Sequence, residues 1–206
     1  MTPSIYPSPE PSRSRAHVDG GEAQDRPTEQ ASPITVSVVG SSIVRGVAEL
    51  VDQGDEFEAT GYVYPGYTAR QINGHIRDVS ETQVTVVQAG TNNVESQTVD
   101  QCTEELRQLI DNVTKKRRTT HVIMACVPHR RNNTYLNKKI DQINDYIRQE
   151  VQKRPNWRLL QHELVSADYK RDNLHLNKRG TVKFAFEVRH IVRNLKNCIN
   201  AARVSV

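Results

Sequence analysis

The stretch Val36-Ser-Val-Val-Gly-Ser-Ser-Ile-Val-Arg-Gly46 constrains the fold more than any other. A β-branched run stops at Gly40-Ser41-Ser42 and an amphipathic segment begins at once, which spells strand, tight turn and helix start. A serine hydroxyl is thereby set at the carboxyl edge of a sheet, the edge where open α/β sheets bind ligands. Three roles are open to such a serine: it can cradle a phosphate, cap a helix or act as a nucleophile.

The same alternation repeats along the chain. Strands are expected at Ile34–Val39, Phe57–Tyr64, Val84–Ala89, His121–Val127 and Trp157–Leu160, the third apolar enough to be buried on both faces. Helical spacing fills the intervals: Ile43–Val51, Thr68–Val79 with Thr68 as cap, Thr98–Thr114, and a stripe of Leu136, Ile140, Ile143, Ile147 and Val151 that ends before Pro155. A final helix is expected over Asn177–Asn200, with Val182, Ala185, Val188, Ile191 or Val192, and Leu195 facing in. Strands alternating with helices imply right-handed crossovers and an α/β fold, a three-layer α/β/α sandwich on a five-stranded parallel sheet. That domain would occupy residues 34–200. Residues 1–33 are rich in Pro, Ser, Glu and Gln and cannot bury enough surface to offset their ordering entropy, so they read as a disordered tail. Residues 201–206 read as a short C-terminal tail.

Charge and composition narrow the class. The formal net charge is +4. The tail holds three arginines against five acids, which leaves the domain more basic than the whole and makes RNA or an anionic lipid surface a conceivable partner. No apolar run is long enough to span a membrane, and no signal-like apolar core is present at the N-terminus, so a cytoplasmic protein is expected. Cys102, Cys126 and Cys198 are far apart and form no CxxC, which suggests buried free thiols in a reducing compartment. His162-Glu163 lacks the second histidine of a zinc-binding helix, so no metal and no cofactor are expected. Gly40-Ser-Ser-Ile-Val-Arg-Gly46 has neither the glycine spacing nor the lysine of a phosphate-binding loop, which removes the cradle. Val44 stands where the second glycine of a GxSxG elbow would be.

Four segments fall at one edge of such a sheet: Gly40–Ser42, Pro65–Thr68, Ala89–Asn93 and the loop 170–177. Each holds a residue type that acyl transfer needs. Ser42 can attack an acyl carbon. Its own N–H, the Gly66 N–H and the Asn92 amide can hold the oxyanion, at ~3–4 kcal/mol per donor. Asp172-Asn-Leu-His175 supplies an imidazole to take the serine proton and a carboxylate to fix its tautomer. Arg45, three residues past Ser42, and Arg130 and Arg131 after the fourth strand share this edge and are candidates to meet an anionic group of a substrate. Lys115-Lys-Arg-Arg118 reads instead as a solvated helix end, and Lys178-Arg179 as a turn cap.

In this order the blocks Gly-Ser-Ser42, Gly66, Gly90-Thr-Asn92-Asn93 and Asp172-x-x-His175 resemble those of the SGNH (GDSL-like) hydrolases, over roughly residues 34–197. The detail around them (VVGSSIVRG, YPGYTARQI, VVQAGTNN, DNLHLNKRG) is most similar to the esterase-like domain of LINE-type retrotransposon first open-reading-frame proteins and to related cellular proteins of animals. The resemblance implies a flavodoxin-like fold and a serine esterase acting on small acyl esters, acetyl or lipid esters among them. Ser42 would be the nucleophile, Ser42, Gly66 and Asn92 the oxyanion hole, and His175 the base oriented by Asp172. Two positions depart from the pattern: Ser41 replaces the usual aspartate of Gly-Asp-Ser, and Asn93 that of Gly-x-Asn-Asp. These losses leave a second function open, a non-catalytic module of the same fold that binds RNA or anionic lipid. No heptad run sets an oligomeric state.

Overall fold

The computed structural model describes residues 32–118 and 120–204. The tail expected at 1–33 therefore lies, but for its last two residues, outside the described residues. Five parallel strands, β1 (Ile34–Gly40), β2 (Phe57–Val63), β3 (Val84–Gln88), β4 (His121–Ala125) and β5 (Trp157–Leu160), form one sheet in the order β2-β1-β3-β4-β5. Five helices connect and close it: α1 (Val47–Val51), α2 (Ala69–His75), α3 (Val99–Lys116), α4 (Thr134–Gln152) and α5 (Lys178–Val204). Helices α1 and α5 cover one face, on which Val36, Val38, Val84, Val86, Phe184 and Val188 are buried. Helices α2, α3 and α4 cover the other with Ile72, Leu106, Ile110, Ile143 and Ile147 against Val39 and Val87. This is the expected sandwich. Both faces are buried, which is why the strands read as apolar runs rather than as alternation.

The helix starts follow local chemistry. Thr68 with Gln71 and Thr98 with Gln101 form reciprocal capping boxes at α2 and α3, and Asn133 caps α4 through the Leu136 N–H at 3.0 Å. The helix expected over Ile43–Val51 is instead a 3₁₀ turn at Ser42–Val44 followed by α1. Gly46, in the left-handed region at φ 78°, separates the two. Strand β4 leaves the ladder after Ala125 because the Val127 N–H turns to the Asn144 side chain, 2.8 Å away.

Helix α5 differs from expectation at both ends. Val182 is 45 % exposed, and Phe184 takes the inward place ahead of Ala185, Val188, Val192, Leu195 and Ile199. The first turn of α5 packs on the preceding loop rather than on the sheet: a Cβ on Gly180 would run into the Asp168 carbonyl. That contact sets the rotation of the whole helix. The helix also continues to Val204, past the end expected for it at residue 200. Cys102 and Cys126 are buried as expected, but Cys198 is exposed, because Ile199 occupies the inward position beside it. Among the described residues no helix is long and apolar enough to cross a membrane, and no cluster of three or more His, Cys, Asp or Glu could hold a metal ion.

In this order of strands the chain passes from β1 to β2 on one side, then crosses to β3 on the other. The crevice beyond the carboxyl ends of β1 and β3 is the switch point, where α/β sheets place their ligands.

Candidate active site

Strand β1 delivers its serines through a close approach. A Cβ on Gly40 would sit 2.5 Å from the Gln88 carbonyl, so only glycine lets β1 meet β3 there. The two serines that follow divide the possible roles between them. Ser41 is buried; its hydroxyl donates to Gln88 Oε1 at 2.7 Å and accepts from the Ile43 N–H at 3.4 Å. It is Ser41 that caps the 3₁₀ turn, and Ser42 is left free for chemistry. Ser42 Oγ lies 2.9 Å from His175 Nε2. The ring's other nitrogen, Nδ1, is 2.8 Å from Asp172 Oδ2.

The Asp172 carboxyl is held down to about 2, chiefly by the Leu174 N–H and, against a modest effect of burial, by the backbone and ring of His175. An ionised carboxylate only accepts, so Nδ1 carries the ring proton and Nε2 is left to accept from the Ser42 hydroxyl. The loop that carries this pair is tightly tied. Its Asp172 Oδ1 accepts from the Leu174 and His175 N–H groups at 3.0 and 2.9 Å, and the Lys170 N–H donates to the His175 carbonyl at 2.7 Å. Asn173 completes the turn in the left-handed region at φ 60°, a conformation asparagine tolerates. The Asn177 amide donates to the Ala167 and Tyr169 carbonyls.

Behind this loop sits a carboxylate that sequence reasoning missed. Asp168 is 0 % exposed; it accepts from the Val165 N–H at 2.9 Å and Lys183 Nζ at 2.8 Å, and Arg179 Nε stands 3.0 Å away. Burial pushes this carboxyl up, but the Lys183 hydrogen bond, the Val165 N–H and the two cations outweigh it and hold it below the ordinary range. Arg179, expected as a turn cap, is thus an anchor between α5 and the His175 loop.

The side of the site expected to hold an oxyanion is built from two further loops. Gly66, at φ 79°, makes the turn after β2, which the Tyr64 N–H ties to the Gly40 carbonyl at 2.8 Å. The N–H groups of Ser42 and Gly66 find no acceptor among the described residues. Asn92 follows Gly90, itself at φ 98°, and one amide N–H of Asn92 donates to the Tyr67 carbonyl at 2.9 Å. The other N–H of that amide is left for a ligand.

A buried polar chain joins the Ser41–Ser42 turn to the Asn92 loop. Gln88, which accepts from Ser41, donates through Nε2 to the Thr91 hydroxyl at 2.7 Å. The Thr91 carbonyl in turn accepts from Arg130 Nη2, also at 2.7 Å. Arg130 was expected at a substrate. It is 6 % exposed, turned inward beneath Thr91, where burial lowers its pKa, and as it stands it braces the loop rather than reaching outward. Arg131 is exposed, and its N–H donates to the Asn173 carbonyl at 3.1 Å. A signal for Gln88 existed: it is the polar end of the apolar run Val84-Thr-Val-Val-Gln88.

Asn93, the second departure from the SGNH pattern, is also buried and fully engaged. Its Oδ1 accepts from the Ala69 N–H at the start of α2, and its Nδ2 donates to Gln97 Oε1 and Glu105 Oε2, both at 2.7 Å. Burial pushes the Glu105 carboxyl up. The Arg70 N–H and the Gln97 and Asn93 amides hold it down.

Beside Ser42 and His175 lies a recess of about 150 Å³ bordered by Arg45, Lys170 and Lys178. Arg45 keeps the place expected for it at this edge. A larger apolar groove, about 640 Å³, runs between β5 and α5 past Val182 and Phe186, and touches none of Ser42, Gly66, Asn92, Asp172 and His175.

No family profile matches the chain, and no curated protein matches it. Solved structures do. A member of the lipolytic G-D-S-L family from Veillonella parvula superposes with a TM-score of 0.65 at 16% identity, over 76% of this chain and 97% of its own. A GDSL-like lipase from Bacteroides thetaiotaomicron gives 0.62 at 17% identity, over 78% and 88%. A carbohydrate esterase family 3 protein from Talaromyces cellulolyticus gives 0.62 at 14%, over 80% and 99%. At these identities the likeness carries the fold: the chain has the α/β architecture of the GDSL-type hydrolases.

Proposed function

We propose that this chain is a metal-independent serine esterase that hydrolyses small acyl esters, acetyl or lipid esters among them. The observation that carries the proposal is the relay from Ser42 Oγ through His175 to Asp172, with steps of 2.9 and 2.8 Å. Nucleophile and base in hydrogen-bond reach, with the base oriented by a third group, is the geometry of an activated serine.

In the reaction Ser42 Oγ attacks the acyl carbon while His175 Nε2 takes its proton. The Ser42 and Gly66 N–H groups and the Asn92 amide hold the oxyanion. His175 then returns the proton to the leaving alcohol, and a water activated by the same imidazole releases the acid from Ser42. Asp172 keeps its charge throughout and steadies the imidazolium. The lost aspartates at 41 and 93 take no part in these steps, and the hydrogen bonds of Ser41 and Asn93 hold the loops in their stead. The likeness to proteins named as GDSL-like lipases and carbohydrate esterases supports the same chemistry. The finer likeness to the retrotransposon esterase-like domain, and a cytoplasmic place of action, rest on the sequence blocks and composition alone.

The second function, a non-catalytic module for RNA or anionic lipid, draws on the exposed cations Arg45, Arg131, Lys170 and Lys178 near the site. It gives no role to the relay. A fluorophosphonate probe together with short p-nitrophenyl esters separates the two. Labelling and turnover that vanish in Ser42→Ala support the esterase; wild type and Ser42→Ala behaving alike would overturn it.

A further inference from the structure

The recess beside Ser42 and His175 has an unusual chemical lining. Arg45, Lys170 and Lys178 border it, and no carboxylate does. Several surface cations elsewhere stand against acids: Arg107 with Glu104 and Asp111, Arg148 with Asp145, Arg193 with Glu56. The three at the recess make no ion pair and no side-chain hydrogen bond among the described residues. The neutral donors beside them are already spent. The Ser42 hydroxyl is on His175, the Thr181 hydroxyl donates to the Asn177 carbonyl at 3.0 Å, and both Asn177 amide protons are on backbone carbonyls. Among the side chains, what remains to hydrogen-bond a ligand is cationic. Three unpaired cations held around one small volume repel one another, and an anion relieves that repulsion.

The position of the recess says which part of an ester it holds. It touches Ser42 and His175, but neither Gly66 nor Asn92 lines it. The imidazole must hand its proton to the leaving oxygen, so the alcohol departs on the imidazole's side, away from the oxyanion donors. We infer that this recess is the leaving-group site, and that it takes an alcohol bearing a phosphate monoester. The inference rests on the esterase proposed above and names its substrate class: an acyl ester of a phosphorylated alcohol. The serine–acyl bond forms as the ester C–O bond breaks, the proton passes from Ser42 through His175 to the alcohol oxygen, and water completes the products, one carboxylic acid and one free phosphorylated alcohol.

The test compares 1-acetylglycerol with 1-acetylglycerol 3-phosphate, reading acetate release, and measures binding of glycerol 3-phosphate to the full chain by calorimetry. A third arm presents a long-chain acylglycerol phosphate in neutral vesicles, which separates a lipid headgroup from a small soluble ester. The phosphorylated acetyl ester is expected to have a kcat/KM about tenfold or more above the neutral one at low salt, a preference that fades as ionic strength rises. In Arg45→Gln/Lys178→Gln the ratio should fall toward one and glycerol 3-phosphate binding should weaken in parallel. Preference for the vesicle arm over the soluble ester would assign the phosphate to a lipid; the reverse would assign it to a soluble metabolite. Equal rates on the two acetyl esters, with turnover still dependent on Ser42, overturn the inference and leave the esterase standing. No turnover on any ester, with glycerol 3-phosphate bound and lost in the double variant, overturns the esterase and leaves an anion site. Neither preference nor binding overturns the inference outright.

Discussion

Ser41 and Gln88 share a 2.7 Å hydrogen bond between side chains that are both wholly buried, 47 residues apart in sequence. SGNH hydrolases carry an aspartate at the position of Ser41. Here a hydroxyl and an amide stand instead, and the amide reaches onward to Thr91 in the Asn92 loop. A neutral hydrogen-bonded chain costs less to bury than a carboxylate, which would need a charged partner in the same space.

That chain gives the first prediction. Gln88→Ala strands the Ser41 and Thr91 hydroxyls in the core, and an unpaired buried polar group costs about 1–3 kcal/mol. Stability should fall by that order in urea melts. Turnover should fall more than substrate affinity, since the two loops that meet the transition state lose their register. A kcat equal to wild type would show that the Ser41–Gln88–Thr91 chain supports the fold alone.

The proposed triad predicts a graded series. Ser42→Ala and His175→Ala should each cut kcat/KM by about 10³-fold or more, and their double variant little further, because the residues act as a unit. Asp172→Asn should cost about 10⁴-fold by allowing the wrong ring tautomer, with the fold unchanged. With Asp172 held at about 2, its own protonation removes no activity above about pH 4. A drop between pH 7 and pH 5 that disappears in Asp172→Asn would contradict that assignment.

Asp168 predicts how stability follows pH. Its carboxyl is depressed in the folded chain, so its contribution is present above the ordinary aspartate value of about 3.9 and is lost as pH falls below it. Lys183 and Arg179 remain partly exposed and can turn to water, so Asp168→Asn should cost about 1–3 kcal/mol at pH 7 rather than the larger penalty of a closed buried pair. Melting curves of wild type and variant should separate at pH 7, and the separation should narrow as pH is lowered below about 4. A separation that does not change with pH would mean that shape, not charge, matters at this site.

These residues also mark where the sequence could be read and where it could not. Strands β1 and β3 were legible because β-branched runs that end at or just before a glycine leave little conformational choice, and β4 and β5 because short apolar runs stand between helical stripes. Ser42, Asp172 and His175, the triad proposed above, stood out because acyl transfer by a serine would need those residue types at those element ends. Arg130 was not: a charge reads as solvated until the fold closes over it. Nor was Asp168, whose partners lie a helical turn or more away on α5. Val182 was placed inward because apolar spacing gives a helix its stripe, while its rotation is set by Gly180 meeting the Asp168 carbonyl, a contact that spacing cannot show. Ser41 and Ser42 could not be told apart as cap and nucleophile by residue type alone.

The clearest test of the altered site is to put back what the SGNH pattern would have. Asn93→Asp keeps size and shape and restores the familiar carboxylate. Asn93 Oδ1 could still accept from the Ala69 N–H, but the Nδ2 that donates to Glu105 and Gln97 would become a second acceptor facing a carboxylate at 2.7 Å. Two carboxylates at that distance cannot both ionise without cost, so one is pushed up and the folded state holds a proton the unfolded chain would release at neutral pH. Stability of Asn93→Asp should therefore fall at pH 7, and the deficit should shrink as pH is lowered toward 5. Adding Glu105→Gln supplies a donor to the new carboxylate and should recover most of the loss. If Asn93→Asp alone is as stable as wild type in urea melts at pH 7, the Asn93–Glu105 pair is not what replaced the missing acid.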